Sequence, residues 1–451
     1  MINSMEPARS EQRSRAWLAV LLLGLGPLAC DGPAAQSRPA DGAASTVASG
    51  ATVETLGTQG APMQGTVSAG VDVLVASVPA ELSGARVGLI TNHTGRTADG
   101  TSTIDALHAL PDIALAALFA PEHGLRGDGA LDDLVASGTD PTTGLPVYSL
   151  YGGADRRKPT PAQLRGLDAL AFDVQDIGAR PYTYVWTMAL ALEAAAENDL
   201  LFVVLDRPNP IGGDKVQGPV QDDEHLTFVG LHPVPLRHGL TAGELARFLV
   251  GERGIDARLL VVPARGWRRD LWFDETGLTW RPPSPNMPTL ESAAHYPGTV
   301  LLEGTNLSVG RGTEVAFQQV GAPWLDAERY AAAVRAAAGD GVRIEPVSFT
   351  PRAPQDGKFA GREVQGVRLR VTDRAAYDPV RTGVALIVAA RALAPRQFGW
   401  TGTIDRLVGY AAFREGVDAG LDAARLTEAW SAQEARFRTD REPYLLYPGR
   451  R

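Results

Sequence analysis

Residues 113–127 place groups that can do acid–base chemistry directly after an apolar run. The run IALAALFA predicts a buried strand that Pro121 ends, and Glu122, His123 and Arg126 follow it. In open α/β sheets, ligands bind in the crevice outside the carboxyl ends of the strands, so polar side chains there can reach a substrate. A partly desolvated carboxyl group at such a position is suited to giving a proton to a substrate. The alternative is structural, with Glu122 capping the following turn or pairing with Arg126.

Three further apolar runs, over residues 85–95, 167–184 and 200–213, end in polar side chains in the same way. The side chains are Asn92 and His93 after the first run, Asp173, Gln175, Asp176 and Arg180 after the second, and Asp206, Arg207 and Asn209 after the third. Because the carboxyl ends of parallel strands lie at one edge of a sheet, the four runs predict a single site to which four strands contribute.

The order of the elements predicts an α/β fold with a largely parallel sheet. Helical patterns separate the apolar runs, at residues 102–109, 161–166, 187–198 and 241–253. The last helix opens with a capping box, formed by Thr241 and Glu244. Strand, helix and strand in succession indicate βαβ units. The uninterrupted apolar runs LDALAFDV and LLFVVLD are expected where helices cover both faces of a sheet.

A proline-dense segment, RPPSPNMP at residues 281–288, cannot form the interior of a helix or strand and is expected to connect two domains. The elements predicted after it are helices at residues 326–338, 378–394 and 421–438 and strands at residues 343–349 and 363–372. We therefore predict a Rossmann-like domain over residues 71–292, with helices on both faces of its sheet, and a smaller α+β domain over residues 293–451.

The composition of the chain is that of a globular protein with an acidic net charge. At 451 residues the chain is long enough for two domains with a sizeable core. Hydrophobic residues make up 44% and charged residues 21%, which leaves no case for global disorder. The formal net charge of −9, without a basic run, argues against nucleic acid as a partner.

The amino-terminal residues resemble an export signal. Three arginines precede the apolar stretch AWLAVLLLGL at residues 16–25, which is too short to span a bilayer. Cys30, the one cysteine, follows Pro-Leu-Ala and resembles the lipidated cysteine of a bacterial lipobox. We predict a signal peptide over residues 1–30 with lipidation at Cys30, and a disordered linker over residues 31–70, whose small and polar residues cannot bury enough surface to fold. The protein would then be exported, periplasmic or extracellular, and anchored to a membrane by lipid; a simple cleaved signal is the alternative.

Several common ligand-binding motifs are absent from the sequence. No G-x-G-x-x-G follows a strand, and no G-x-x-x-x-G-K-[ST], H-E-x-x-H or G-x-S-x-G occurs. The seven histidines have no close metal-ligand spacing, although a zinc site assembled over long distances would not show in this way. We therefore predict neither a cofactor nor a metal ion.

Eight ordered motifs resemble one bacterial protein family. They are TNHTG, LFAPEHGLRG, TGLPVYSLYG, FDVQDIGARPYTY, LDRPNPIGG, FVGLHPVPLRHGLTAGELA, PPSPNMPTLESAAHYPGT and LEGTNLSVGRGTEVAF. Over residues 85–451 the chain is similar to the NamZ family of exo-β-N-acetylmuramidases, long described as a domain of unknown function. The resemblance implies a Rossmann-like larger domain, a smaller carboxyl-terminal domain and a cleft between them. It also implies release of N-acetylmuramic acid from the non-reducing ends of peptidoglycan fragments, in cell-wall turnover.

Glycoside hydrolysis needs a proton for the leaving oxygen and a group that stabilises an oxocarbenium-like centre, and two carboxyl groups usually supply both. Glu122, at its strand end, is the predicted general acid. Glu303 is preferred as the second carboxyl group, because its glycine-rich loop would face the cleft from the other side. The other candidates for this role are Asp173, Asp176, Asp206 and Glu314. The alternative left open by the resemblance is that the acetamido group of the substrate takes part, in which case one carboxylate would orient it instead of attacking.

The implied substrate carries a lactyl carboxylate, which a planar guanidinium is suited to bind. Arg180 and Arg311 are the predicted partners, with Arg126 behind them, and an ion pair within the protein is the alternative for each. The side chains predicted to hold the ring hydroxyls or the N-acetyl group are Asn92, His93, His123, Gln175, Asn209 and Asn306. Tyr182 and Tyr184 could supply a stacking face, although aromatic residues after a strand are as often part of the core.

Two other functions fit the same sequence. A non-catalytic muropeptide-binding lipoprotein would bind such fragments tightly without turnover. Another peptidoglycan hydrolase, such as an amidase or esterase, is less favoured because the nucleophile elbow and close metal spacing are absent.

Overall fold

A mixed but mainly parallel sheet organises the first part of the chain. The structure is a computed structural model that describes residues 50–57, 67–125, 138–151 and 157–449. In chain order, the strands of these residues are β1 (Thr52–Thr55), β2 (Ala85–Thr91), β3 (Ile113–Ala120), β4 (Gly138–Thr139), β5 (Pro146–Ser149), β6 (Ala169–Asp173), β7 (Leu201–Leu205), β8 (Gln217–Val220), β9 (Pro235–Arg237), β10 (Arg258–Val262), β11 (Gln319–Ala322), β12 (Val342–Phe349) and β13 (Val364–Val371).

Helices alternate with these strands. Within the same residues they are α1 (Gly70–Ala76), α2 (Thr103–His108), α3 (Pro161–Leu164), α4 (Tyr184–Glu197), α5 (Ala242–Arg253), α6 (Leu290–Thr299), α7 (Ala327–Arg335), α8 (Pro379–Leu393), α9 (Ile404–Val408), α10 (Ala412–Asp418), α11 (Ala423–Glu428) and α12 (Ser431–Arg441).

The large sheet has the strand order β1-β10-β7-β6-β2-β3-β5-β4, and every neighbouring pair is parallel except β4 with β5. The predicted parallel sheet is therefore confirmed. Thr91 at the end of β2 is paired with Asp173 at the end of β6, and Ala120 at the end of β3 is paired with Ser149. The carboxyl ends of these strands consequently lie side by side.

Helices cover both faces of this sheet, as the uninterrupted apolar runs predict. Leu89 of β2 belongs to a buried cluster that includes residues of α1 and α2, whereas its neighbour Ile90 belongs to a cluster that includes residues of α4 and α5. Successive side chains of a strand point to opposite faces, so one strand contributes to both cores. The capping box predicted for α5 is present, because Thr241 accepts from the backbone of Glu244 and Glu244 accepts from the backbone of Thr241.

A smaller antiparallel sheet, β11-β13-β12, forms the carboxyl-terminal part with helices α6, α7 and α8. This arrangement matches the predicted smaller α+β part. Helices α6 and α8 cross at two glycines: a Cβ on Gly298 would lie 1.7 Å from the carbonyl oxygen of Pro379, and a Cβ on Gly383 would lie 2.3 Å from that of Gly298. Since α6 continues directly into a 3-10 helix over Val300–Gly304, this crossing fixes the position of Glu303.

Two features differ from the predicted domain boundaries. Strand β1 lies inside the segment predicted as a disordered linker, residues 31–70, and pairs in parallel with β10. All four of its side chains are exposed, so its order comes from backbone pairing that the composition does not reveal. The end of the predicted second domain packs on the first, where the Tyr447 hydroxyl donates to Asp206 and Arg441 donates to the carbonyl oxygen of Gly239. The exact boundaries at residues 71, 292 and 293 stay predictions.

The predicted signal peptide, residues 1–30, and its Cys30 lie outside the described residues. In the part of the chain that the structure does describe, no helix is long and apolar enough to cross a membrane.

Candidate active site

A cavity of about 380 Å³ lies at the carboxyl edge of the large sheet, and both parts of the chain line it. Its walls come from the turn after β3, the start of α4, the proline-dense segment, the 3-10 helix after α6 and the loop between β12 and β13. Its volume lies within the range of small-molecule pockets, roughly 300–1,000 Å³. Glu122 and Glu303, the two favoured carboxyl groups, both line it.

Glu122 occupies a tight turn directly after β3. The two residues that follow it, His123 and Gly124, both have left-handed backbone conformations, with φ of 71° and 75°. That conformation is uncommon for a residue with a side chain and points to a constrained turn. The Oε2 atom of Glu122 accepts a hydrogen bond from the Thr183 hydroxyl at 3.1 Å, so the carboxyl group is fixed against the residue that precedes α4.

Glu303 approaches the cavity from the carboxyl-terminal part and is paired with Arg311. Its Oε1 atom lies 2.5 Å from Nε of Arg311, and the two side chains are 23% and 20% exposed. Burial lowers the pKa of Arg311, but the nearby Glu303 charge raises it, with a net rise above the ordinary arginine value. The guanidinium also lies 5.0 Å from the ring centroid of Phe317. Glu303 is therefore an ion-paired carboxylate at the wall of the cavity.

Three tyrosines form an aromatic wall of the cavity. The ring of Tyr182 makes edge contacts with Tyr184 at 5.2 Å and with Tyr296 at 5.7 Å between centroids. The Tyr184 hydroxyl donates to the carbonyl oxygen of Pro283 at 2.7 Å, which ties α4 to the proline-dense segment. Burial raises the pKa of all three hydroxyls, so they are neutral donors at physiological pH.

His123 is the only histidine among the described residues that line the cavity. Burial is the main cause that lowers its pKa; Glu122 raises it, while His93 and Arg311 lower it further. His123 is thus mainly a neutral imidazole at physiological pH.

Comparisons with known proteins show the family of the chain. A family model described as "Exo-beta-N-acetylmuramidase NamZ, N-terminal" matches residues 87–291, and its counterpart "Exo-beta-N-acetylmuramidase NamZ, C-terminal" matches residues 294–447. The chain belongs to the NamZ family. It is 44% identical over 383 residues to the peptidoglycan beta-N-acetylmuramidase NamZ of Bacillus subtilis (strain 168), which covers 84% of this chain and 91% of the relative.

Two crystal structures of DUF1343 family proteins from Bacteroides fragilis NCTC 9343 share the fold. The first has a TM-score of 0.79 at 37% identity and covers 85% of this chain and 100% of its own. The second has a TM-score of 0.70 at 31% identity and covers 85% and 99%. The resemblance of the eight sequence motifs to the NamZ family is therefore confirmed.

In this NamZ-family chain, two of the predicted catalytic carboxylates, Asp173 and Asp206, are fully buried at the carboxyl edge of the large sheet. Asp173 is fully buried and paired with Arg207, whose Nε and Nη2 atoms lie 2.5 and 2.9 Å from its two oxygens. Asp206 accepts from the hydroxyls of Tyr447 and Thr241, each at 2.6 Å. Burial raises the pKa of Asp206 to about 6.

Neither Asp173 nor Asp206 is among the described residues that line the cavity. Their partners join separate elements, since Tyr447 comes from the end of the chain and Thr241 from the start of α5. We therefore correct the predicted catalytic role of these two residues to a structural one.

The role in substrate binding predicted for Arg180 is also corrected to a structural one. It is completely buried, and its guanidinium donates to the carbonyl oxygens of Pro219, Val234, Leu407 and Val408 at 2.6–3.0 Å. A guanidinium surrounded by four carbonyl groups joins the two parts of the chain and cannot bind a substrate carboxylate. Arg126, the reserve candidate, lies outside the described residues.

Several predicted binding residues bond the protein itself and are not among the described lining residues. They are Asn92, His93, Gln175, Asn209 and Asn306. Asn92 accepts from the backbone of Thr94 at 2.9 Å, and Asn306 donates to the carbonyl oxygen of Gln397 at 2.7 Å. The bond of Asn92 stabilises a local turn, as short polar side chains commonly do, whereas the bond of Asn306 joins two segments that are 91 residues apart.

Of the remaining carboxyl candidates, Asp176 is buried and its Oδ2 atom accepts from the backbone of Gly178 at 2.7 Å. Burial raises its pKa to about 7. Neither Asp176 nor Glu314 is among the described lining residues.

Some residues at the cavity were not identified from the sequence. They are Tyr151, Ser284, Asn286, Met287, Tyr296, Phe317, Gln355 and Asp356. The family motif PPSPNMP contained a signal for Asn286, although the segment was interpreted only as a connection. Gln355 lies in a loop with no motif. Within the described ranges, no group of three or more His, Cys, Asp or Glu residues could hold a metal ion.

Proposed function

We propose that this chain is an exo-β-N-acetylmuramidase that removes N-acetylmuramic acid from the non-reducing ends of peptidoglycan fragments. One observation carries the proposal: Glu122 and Glu303, which are far apart in sequence, line the same cavity in a chain of the NamZ family. The related Bacillus subtilis protein is a peptidoglycan beta-N-acetylmuramidase. The activity would serve cell-wall turnover and recycling.

The environments of the two carboxyl groups support different roles. The Thr183 hydroxyl holds Glu122 at the wall of the cavity, and we assign Glu122 the role of the general acid that protonates the leaving oxygen. Glu303 is paired with the guanidinium of Arg311, so it is the charged carboxylate that stabilises positive charge developing at the anomeric carbon. Two carboxyl groups that line one cavity are the pair that most glycoside hydrolases use.

The walls of the cavity suit a sugar that carries a carboxylate. Tyr182, Tyr184 and Tyr296 offer apolar ring surface together with hydroxyl groups. Arg311 is the predicted lactyl-binding arginine that lines the cavity. Its Nε and Nη1 atoms bond Glu303 and Gln355, which leaves Nη2 for the lactyl carboxylate.

The decisive experiment compares two chromogenic substrates, para-nitrophenyl N-acetylmuramide and the matching N-acetylglucosaminide. We expect release of nitrophenol from the muramide and none from the glucosaminide. Folded protein that releases nitrophenol from neither substrate would contradict the proposal. High-performance chromatography of digested peptidoglycan fragments should then show free N-acetylmuramic acid as the sugar product.

We also propose that the protein is exported and anchored by a lipid at Cys30. The support is the basic and apolar leader before Cys30, together with a substrate that lies outside the cytoplasm. In a bacterial host, Cys30→Ala should move the protein from the membrane fraction to the soluble fraction and abolish incorporation of labelled palmitate. Unchanged membrane association and no labelling of the wild-type protein would contradict the anchor.

A further inference from the structure

A chain of hydrogen bonds runs along the wall of the cavity and ends at Glu303. Gln355 is at its centre: the Oε1 atom accepts from Nδ2 of Asn286 and from Nη1 of Arg311, the latter at 3.5 Å. Arg311 in turn donates from Nε to Glu303 at 2.5 Å. All four residues line the cavity. These hydrogen bonds therefore join the proline-dense segment to the Glu303 carboxylate through one glutamine.

The backbone holds the Gln355 loop, residues 350–363, against the Arg311 segment. The N–H of Arg352 donates to the carbonyl oxygen of Gly312 at 2.8 Å. Gly312 has a φ of 76°, and a Cβ there would lie 2.4 Å from the carbonyl oxygen of Arg352, so a larger residue would separate the two segments. Lys358 of the same loop donates to the main-chain oxygen of Glu303 at 3.4 Å. The position of Gln355 is thus fixed by more than its own side chain.

The chemistry of the amide suits the task of orienting a guanidinium. An arginine that bonds one carboxylate through Nε can still rotate, and a second acceptor at Nη1 fixes the plane of the group. The Gln355 carbonyl is neutral, so it accepts that bond without competing with Glu303 for the positive charge. Its two lone pairs match the two donors, Asn286 and Arg311.

We propose that Gln355 is a positioning residue, which orients Arg311 and through it holds Glu303 in the catalytic geometry. The inference rests on the proposed function and adds to it a residue that belongs to no motif of the sequence. Because Gln355 acts on Glu303 through Arg311, its loss should lower kcat, and KM should rise as well because the same guanidinium is proposed to bind the lactyl carboxylate.

A double-mutant cycle tests the path through Arg311. Gln355→Met keeps the length of the side chain but removes its acceptor, and Arg311→Lys keeps the charge but cannot bond both partners. On para-nitrophenyl N-acetylmuramide, we expect Gln355→Met to lower kcat about 10- to 100-fold, since small misplacements of catalytic groups have costs of this size. The double variant should be within about threefold of Arg311→Lys alone, because the bond that Gln355 supports is already lost.

The matched control is Gln397→Met, at an exposed glutamine that is not among the described lining residues. It should leave kcat unchanged both alone and combined with Arg311→Lys. Thermal melts of every variant establish folding, and Gln355→Ala replaces the methionine variant if that one is unstable.

Two results would overturn the inference. One is a Gln355→Met enzyme with wild-type kcat, and the other is a double variant whose loss equals the product of the two single losses. If the wild-type protein itself releases no nitrophenol, the proposed function fails, and this inference fails with it. If the wild-type protein is active and Gln355→Met matches it, only the inference fails.

Discussion

The Thr183 hydroxyl donates to Oε2 of Glu122 at 3.1 Å, and this bond joins the turn after β3 to the start of α4. The strand and the helix belong to separate βαβ units, so their ends meet only through the parallel order of the sheet. The contact orients a carboxyl group with a neutral donor. A general acid has to be held where it can reach the leaving oxygen, and this bond fixes the carboxyl group at the wall of the cavity.

We predict that Thr183→Val lowers kcat about 3- to 10-fold while the protein stays folded. Valine has nearly the same shape but lacks the hydroxyl, so the variant removes one hydrogen bond worth roughly 1 kcal/mol. Steady-state kinetics on the muramide measure the change, and Thr183→Ser, which keeps the hydroxyl, is the control. A valine variant with wild-type kcat, or a serine variant whose loss equals that of the valine variant, would contradict the role given to the hydroxyl.

Glu122→Gln should abolish general-acid catalysis and leave binding intact. A positioned acid contributes typically 10²–10⁴-fold, so we expect a loss of this size on a natural disaccharide whose leaving oxygen needs a proton. A dinitrophenyl leaving group departs without protonation, and on that substrate the loss should be at least tenfold smaller. The ratio of kcat/KM values on the two substrates checks the assignment; a loss independent of the leaving group contradicts it.

Glu303→Gln should behave differently, because its carboxylate is proposed to stabilise charge at the anomeric carbon. We expect kcat to fall by at least 10²-fold on the natural and the dinitrophenyl substrates alike. Single-turnover kinetics separate the chemical step from product release. A loss confined to the natural disaccharide would mean that Glu303, and not Glu122, supplies the proton.

Local patterns were sufficient to predict β3 and α5, but not α6 or the 3-10 helix that carries Glu303, which was predicted as a glycine-rich loop. Strand β3 ends at Ala120, one residue before the proline that was predicted to stop it, and the capping box of α5 is where Thr241 indicated. These signals depend on neighbours within four residues in the chain. Strand β1 escaped prediction because its order comes from pairing with β10, about 200 residues away.

The roles of individual polar residues could be predicted only in part. Glu122, Asp173 and Asp206 all follow apolar runs, and the sequence gives no way to rank their partners. Asp173 pairs with Arg207, and Asp206 pairs with Tyr447 from the end of the chain, so both are already neutralised or bonded. Partners that are distant in the sequence distinguish a structural carboxylate from one that faces a cavity, and the sequence does not reveal them.

The stability of the protein should depend on pH through Asp176. Burial raises its folded pKa from 3.8 to about 7, so between these values the folded state binds more protons than the unfolded state. Its contribution to stability is full below pH 3.8 and is lost as the pH rises through about 7. The difference of roughly three units corresponds to up to about 4 kcal/mol.

Asp176→Asn removes this ionisation and keeps an acceptor for the backbone of Gly178. The variant should gain stability relative to the wild-type protein on going from pH 5 to pH 8. Urea unfolding at both pH values measures the difference, in which the similar contribution of Asp206 cancels. The same difference at both pH values would show that Asp176 is already ionised in the folded protein at pH 5, which would contradict the raised pKa.

Tyr447→Phe should destabilise the protein without changing its kinetics. The hydroxyl of Tyr447 donates to Asp206 and accepts from the backbone N–H of Ala264, so the variant leaves two buried groups without this partner. We expect a loss of about 1–3 kcal/mol in the free energy of unfolding. Tyr444→Phe is the control, because the Tyr444 hydroxyl makes a long hydrogen bond of 3.5 Å to the exposed Glu252. Its loss should lower the free energy of unfolding by less than about 0.5 kcal/mol. If Asp206 has a structural role only, folded Tyr447→Phe protein turns over substrate at the wild-type rate. A fall in kcat together with the fall in stability would instead indicate that Asp206 is catalytic.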